Sequence, residues 1–349
     1  MVICSHHIRN PTGSCQIMSQ SNKLLLAGDI GGTKTVLALF SPKLGPYQPV
    51  EKTTFSSSKY KSLDEILQSF MNDKPVSIHS ASLGIAGPVE QGRVQTTNLP
   101  WVIEAAELSK DLGGAPVRLL NDLQAIASAI PYLRPEDIET LNPGTPTPHG
   151  AIGVIAPGTG LGEAFMVWDG KRYRAYPSEG GHTNFSPANP IELELLTYLL
   201  PRLGHVSCER VCSGMGVPNL YDFLRDFHGL PEPDWLKERL DGAADPTPVI
   251  FKAAAEHQVE ICVRTVEMFI DILASEGGNL ALKTMATGGI YLGGGIPPRI
   301  VPQLRASNFM VTFSDKGRFD KMLAKVPVHV IVQPGAALLG AACDVLEEE

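Results

Sequence analysis

Leu24–Phe40 reads LLLAGDIGGTKTVLALF. Two apolar runs flank a tight corner, Gly28-Asp29-Ile30-Gly31-Gly32-Thr33. A hairpin tip built from glycine exposes bare backbone N–H groups, and such groups bind phosphate. Thr33 adds a hydroxyl. Asp29, at a strand end, suits Mg²⁺ held through water, since that ion dehydrates reluctantly. The P-loop pattern GxxxxGK[ST] is absent, so this is a different phosphate device, or else an ordinary glycine hairpin. A second corner of the same kind, Gly158-Thr159-Gly160, lies in Ile152–Val167, IGVIAPGTGLGEAFMV. A third cluster, Gly288-Gly289 and Gly293-Gly294-Gly295, follows an apolar run and can pack against a base or ribose. Each cluster alone is weak; together they suggest two lobes closing on one polyphosphate.

The rest of the composition is compatible with that reading. At 349 residues the chain exceeds one ordinary hydrophobic core, so two domains are expected. A net charge of −8 and the lack of a basic stretch argue against a nucleic-acid surface. No apolar run approaches the ~18 residues that would span a bilayer. The cysteines Cys4, Cys15, Cys208, Cys212, Cys262 and Cys343 fit no zinc template and read as thiols of a reducing compartment, hence a cytoplasmic protein. Residues 1–22 are polar and carry no secretory h-region. They are expected to form a mobile extension, with Met18 an alternative start.

Strands are expected at Leu24–Leu26, Val36–Phe40, Ile78–Ile85, Val117–Leu120, Met285–Leu292 and Val328–Val332, with a strand–corner–strand unit at Ile152–Val167. Helical spacing covers Leu63–Phe70 (with Ser62 as N-cap), Ile103–Leu112, Leu123–Ile130, Pro190–Leu203, Pro248–Leu273 and Gly335–Leu346. Pro135–Pro148 reads as a loop and a place for a domain crossing. Strands alternating with helices give an α/β architecture.

Asn121-Asp122 lies between a buried strand and a helix. Its Asp is either an N-cap or a carboxylate at the carboxyl end of a strand, where open α/β sheets bind ligands. Asn98 sits in a loop and could add an amide, although a turn role suits it as well. Glu179-Gly180-Gly181-His182 and Glu209 supply two more carboxylates and an imidazole. Singly these are ordinary surface residues. As a set they are rich in acceptors and suit a polyol, whose hydroxyls each need an acceptor and a donor.

The ordered strings LAGDIGGTKT, LLNDLQAIA, PGTGLGEAF, EGGHTNF, ERVCSG and GGIYLGGGI resemble the bacterial ATP-dependent glucokinase family, over nearly all the chain from Leu24 onward. That resemblance implies a two-lobed actin/hexokinase-like (ribonuclease H-like) ATPase fold with an interlobe cleft. Its expected lobes are a small α/β domain over 23–132, completed by the helix at 334–349, and a large one over 133–333. It implies ATP, with Mg²⁺ at Asp29, held by Gly28 to Thr33, Gly158, Thr159, Gly160 and Gly293 to Gly295. It implies glucose held by Asn98, Asn121, Asp122, Glu179, His182 and Glu209, with Asp122 as catalytic base. The related ROK kinases carry a zinc motif, CxCGxxGC, which is missing here, so the likeness is to the non-ROK branch without zinc. A homodimer is also implied. Lys34 is left outside the expected catalytic set. The alternatives are a kinase for mannose or another hexose, an acetate-kinase-like enzyme, a sugar-sensing regulator and an actin-like filament protein. The acidic set disfavours an anionic substrate such as acetate, because like charges repel.

Overall fold

The computed structural model describes residues 24–347 other than 73, 75, 97 and 98. The expected extension over 1–22, and Asn98, lie outside the described residues. The strands in chain order are β1 (Leu24–Ile30), β2 (Lys34–Phe40), β3 (Glu51–Ser56), β4 (Ile78–Ile85), β5 (Val89–Glu90), β6 (Arg93–Gln95), β7 (Val102–Glu104), β8 (Val117–Asn121), β9 (Ile138–Asn142), β10 (Ile152–Pro157), β11 (Leu161–Trp168), β12 (Tyr173–Ser178), β13 (Gly289–Leu292) and β14 (Val328–Ile331).

They form two large sheets of the same design. The first, five-stranded, has the order β3-β2-β1-β4-β8, and the second, six-stranded, has β12-β11-β10-β13-β14-β9. In each, an antiparallel meander of three strands (β1–β3, β10–β12) continues into two parallel crossover strands. The glycine corners at 31–33 and 158–160 are thus equivalent hairpin tips, one per sheet. This is the α/β fold class expected from the sequence. A small antiparallel sheet, β5-β6-β7, hangs from the first unit.

The helix Asp122–Ala129 lies between the sheets. Its Leu123 and Ala127, with Ile130 just beyond its end, pack on Val154, Ala156, Ala164 and Met166 of the second sheet. Against its other side lies the closing helix Ala336–Leu346, where the backbone of Ala125 fills the space a side chain at Gly340 would take. That closing helix covers the first sheet, with Leu338, Ala341, Ala342 and Val345 on Leu25, Ala27, Ala38 and Phe40. Small residues are what allow so close an approach. Asp137, 6% exposed, pins the two chain crossings together: it accepts from the Gln333 amide at 2.7 Å and the Arg134 N–H at 2.9 Å. Its carbonyl accepts from Val332 N at 2.8 Å.

Three local expectations are corrected. Pro135–Pro148 contains β9, an edge strand paired with β14, as well as loop. Ile103–Leu112 is a strand, β7, that runs into a helix over Ala105–Asp111. Pro248–Leu273 is two helices, Thr247–His257 and Glu260–Thr284, because Gln258 turns left-handed at φ 51° and ends the first. The helix Leu63–Met71 is as read, with Ser62 Oγ accepting the Glu65 N–H at 3.3 Å.

Candidate active site

Asn121 and Asp122 stand where β8 ends and the central helix begins. Asn121 is the N-cap: its Oδ1 accepts the Gln124 N–H at 2.7 Å, and the Gln124 side chain returns a bond to the Asn121 N–H at 3.1 Å. This capping box contributes about 1 kcal/mol and locks the strand-to-helix turn. Asp122 therefore is not the cap. It occupies the first helical position and accepts the Leu123 N–H at 2.9 Å. Burial pushes its carboxyl above the usual carboxylate range, with the nearby Glu179 adding to the rise and backbone N–H groups opposing it. A base so raised keeps more affinity for a proton.

Through Glu179 the rest of the acceptor set follows from it. His182 Nε2 lies 3.8 Å from Glu179 Oε2, and its Nδ1 lies 3.8 Å from Glu209 Oε1. Glu209 is anchored by accepting the Leu161 N–H through Oε2 at 2.9 Å. That oxygen fills the space a side chain at Gly160 would need, so the second glycine corner and Glu209 are built as one piece. The structure thus brings Asp122, Glu179, His182 and Glu209 together, with Asn121 beside them.

The phosphate candidates divide into two groups. Gly31, Gly32 and Thr33 form an open tip, braced by Ser57, whose Oγ donates to Gly31 O at 2.8 Å. Gly28 and Ile30 are buried in the sheet instead. A side chain at Gly28 would meet Leu83 and Leu37 at 2.7 and 2.9 Å, so that glycine serves packing. Asp29 projects between these positions. Burial, with Asp122 adding and Lys52 opposing, pushes its carboxyl up to about 6.

At the tips of the second sheet, Gly158, Thr159 and Gly295 open on a cavity of about 760 Å³, with Gly214, Phe251, Arg299 and Gln303 among its walls. Gly293 and Gly294 make the turn behind it. Gly293 N donates to Ile155 O at 2.9 Å, and Gly294 adopts φ +78°, with Pro157 O only 2.5 Å from where a side chain would begin. Gly158 and Thr159 of the second glycine cluster and Gly295 of the third therefore belong to one pocket, while Gly160, Gly288, Gly289 and the Gly31–Thr33 tip lie outside its lining.

The glucokinase family model matches residues 26–348. The chain belongs to the glucokinase family. A glucokinase of Nostoc punctiforme is 39% identical over 334 residues, covering 91% of this chain and 98% of the relative. Among solved structures, a glucokinase from an Antarctic psychrotroph superposes with a TM-score of 0.81 at 31% identity, covering 93% of this chain and 99% of that one. The Balamuthia mandrillaris glucokinase solved in complex with glucose shares the fold, with a TM-score of 0.75 at 20% identity and 95% of each chain covered. Of the glucokinase motifs read from the sequence, PGTGLGEAF, ERVCSG and GGIYLGGGI contribute Gly158, Thr159, Gly214, Gly295 and Ile296 to the cavity wall.

Several residues at or near this candidate site are not singled out in the sequence reading. Thr247, Arg299 and Gln303, with Asp245 just before Thr247, wall the cavity from segments distant in sequence, and no local motif marks them. Lys52 acts on Asp29 from β3. Glu163, wholly inside the protein beneath Gly180, did carry a signal: an acid between inward apolar residues of a strand.

Proposed function

We propose that the protein transfers the γ-phosphoryl group of ATP to O6 of D-glucose, giving glucose 6-phosphate and ADP. One observation carries this reading: Asp122, Glu179, His182 and Glu209 are successive neighbours, and Glu209 is seated against Gly160, next to Gly158 and Thr159, which line a cavity large enough for a nucleoside. Among relatives of this fold, the Balamuthia mandrillaris enzyme was solved with glucose bound.

In this mechanism the cavity takes adenosine and the glycine tips donate N–H groups to the phosphates. Glu179, His182, Glu209 and the Asn121 amide hold the sugar hydroxyls. Asp122 accepts the O6 proton as O6 attacks the γ-phosphorus in line, and ADP leaves. Mg²⁺ fits this site only in part through protein ligands. Among the described residues no cluster of three or more His, Cys, Asp or Glu is placed to hold a metal. Asp122 nonetheless adds to the cost of charge on Asp29, which a dication would relieve. Asp29 would hold it through water, and the ion would offset phosphate charge.

A homodimer in the cytoplasm completes the reading. The described cysteines Cys208, Cys212, Cys262 and Cys343 are all free and buried, as suits a reducing compartment. No helix of the described residues is long and apolar enough to cross a membrane.

The test is ADP release with glucose, mannose, fructose or no sugar, each with and without Mg²⁺. Release should require both glucose and Mg²⁺; equal release without sugar would refute the assignment. Replacing Glu179 with Gln should raise KM for glucose roughly tenfold to hundredfold, the loss of a charge-assisted hydrogen bond of about 1.5–3 kcal/mol, with little change in KM for ATP. An unchanged glucose KM would remove Glu179 from the sugar site.

Asp29 supplies a pH prediction. Its folded pKa lies above the unfolded value of 3.8. The associated stability is present below that value and is lost as pH rises through about 6. The melting temperature of Asp29→Asn, relative to wild type, should therefore climb between pH 4 and pH 7.5 while its activity falls. A pH-independent difference would contradict the assignment of a raised carboxyl at this position.

A further inference from the structure

Glu163 has no part in the mechanism above, yet it is placed where it can govern sugar binding. It lies on β11, opposite Ser178 of β12 and Ile155 of β10, and is 2% exposed. Its Oε2 fills the space that a side chain at Gly180 would occupy, so the turn Gly180–His182 rests directly on the carboxyl group. Ser178 Oγ holds the start of the same turn by accepting the Gly180 N–H at 3.0 Å. The other oxygen, Oε1, is buried with no hydrogen-bond partner.

We propose that Glu163 is a positioning residue for glucose: its buried carboxyl group is the floor of the Gly180–His182 turn and sets where Glu179 and His182 stand. This rests on the reading that those two side chains bind the sugar. A floor of this kind matters because a contact misplaced by about 1 Å can cost as much as 10²-fold.

The surroundings select the form of the carboxyl that does this. From the helix Glu260–Thr284, Glu276 and Lys283 face it, and Cys208 and Cys212 face it from the adjoining turn. Glu276 is itself buried and holds Lys283 Nζ at 2.9 Å and Asn279 Nδ2 at 2.9 Å. The lysine is thus already engaged by the other acid. Burial, with Glu276 adding and Lys283 opposing, pushes Glu163 up to about 7. The neutral acid is the form that supports the turn. Ionisation above neutrality places an uncompensated charge directly under Gly180.

The experiment measures KM for glucose, KM for ATP and kcat for wild type, Glu163→Gln, Glu163→Ala and Glu179→Gln between pH 6 and pH 9. Glu163→Ala removes the floor and should raise glucose KM about tenfold, leaving ATP KM and kcat within about threefold. Glu163→Gln keeps the shape and cannot ionise. It should match wild type at pH 6.5 and lack the rise in glucose KM that wild type shows above pH 7. A wild-type glucose KM in Glu163→Ala would overturn the proposal, as would a loss in both substrates alike. If Glu163→Ala does not fold, the isosteric Gln variant decides: a pH profile of glucose KM identical to wild type overturns it. Glu179→Gln separates the two claims, because an unchanged glucose KM there faults the sugar site itself rather than Glu163.

Discussion

Replacing Asp122 with Asn should lower kcat by about 10²–10⁴-fold while KM for glucose changes only a few-fold. Asn keeps the size of the side chain and can still accept the Leu123 N–H that fixes it, observed at 2.9 Å. The Asn121 cap that sets the helix start is untouched. What is lost is the ability to take the O6 proton. The variant should also be no less stable than wild type near neutral pH, since burial already disfavours the Asp122 charge. Steady-state kinetics and a thermal melt on the same sample check both parts. Wild-type turnover would remove Asp122 from the chemistry, and a large rise in glucose KM at unchanged kcat would make it only a sugar ligand.

The second large effect is expected from Gly160→Ala. The new methyl group would land on Glu209 Oε2, the oxygen that accepts the Leu161 N–H at 2.9 Å. Something must yield, and the free end of the Glu209 side chain yields more readily than the hairpin backbone. Glu209 would then leave both its anchor and its place 3.8 Å from His182. A glycine in the phosphate corner should therefore act chiefly on the sugar: glucose KM should rise roughly tenfold to hundredfold, the value of one charge-assisted hydrogen bond. ATP KM should rise less. The opposite ratio would mean that the backbone, not Glu209, gives way.

Much of this fold is legible in the sequence because its two hairpin tips combine buried apolar runs with glycine corners, at Gly31–Gly32 and Gly158–Gly160. The central helix is legible too, read over Leu123–Ile130 and observed from Asp122 to Ala129. Edge strands are less so. In β3, alternate residues are exposed and the composition apart from Phe55 is Thr, Ser, Lys and Glu, which leaves little apolar signal. In β9, partners exist on one side only, and the segment sits among prolines and threonines that read as loop. The Gln258 break is illegible for a different reason: a left-handed glutamine has no local sequence mark, unlike a glycine.

The candidate site follows the same division. Its candidate carboxylates are legible because Asn-Asp and EGGH stand at element ends, where polar groups meet turns. The cavity wall is not, because Thr247, Arg299 and Gln303 are brought together only by packing of separate helices. The role of Asn121 was legible only in part: a cap and a ligand use the same amide, and the structure commits its oxygen to the cap. Gly28 resembles a phosphate glycine in sequence but is required by Leu37 and Leu83.

The most direct measurement is a crystal structure with glucose and a non-hydrolysable ATP analogue bound. Asp122 should lie within hydrogen-bond reach, about 2.6–3.2 Å, of the sugar O6, with the terminal phosphorus in line beyond it. A sugar whose primary alcohol faces any other group, with the Asp122 carboxylate turned back along its helix, would contradict the account.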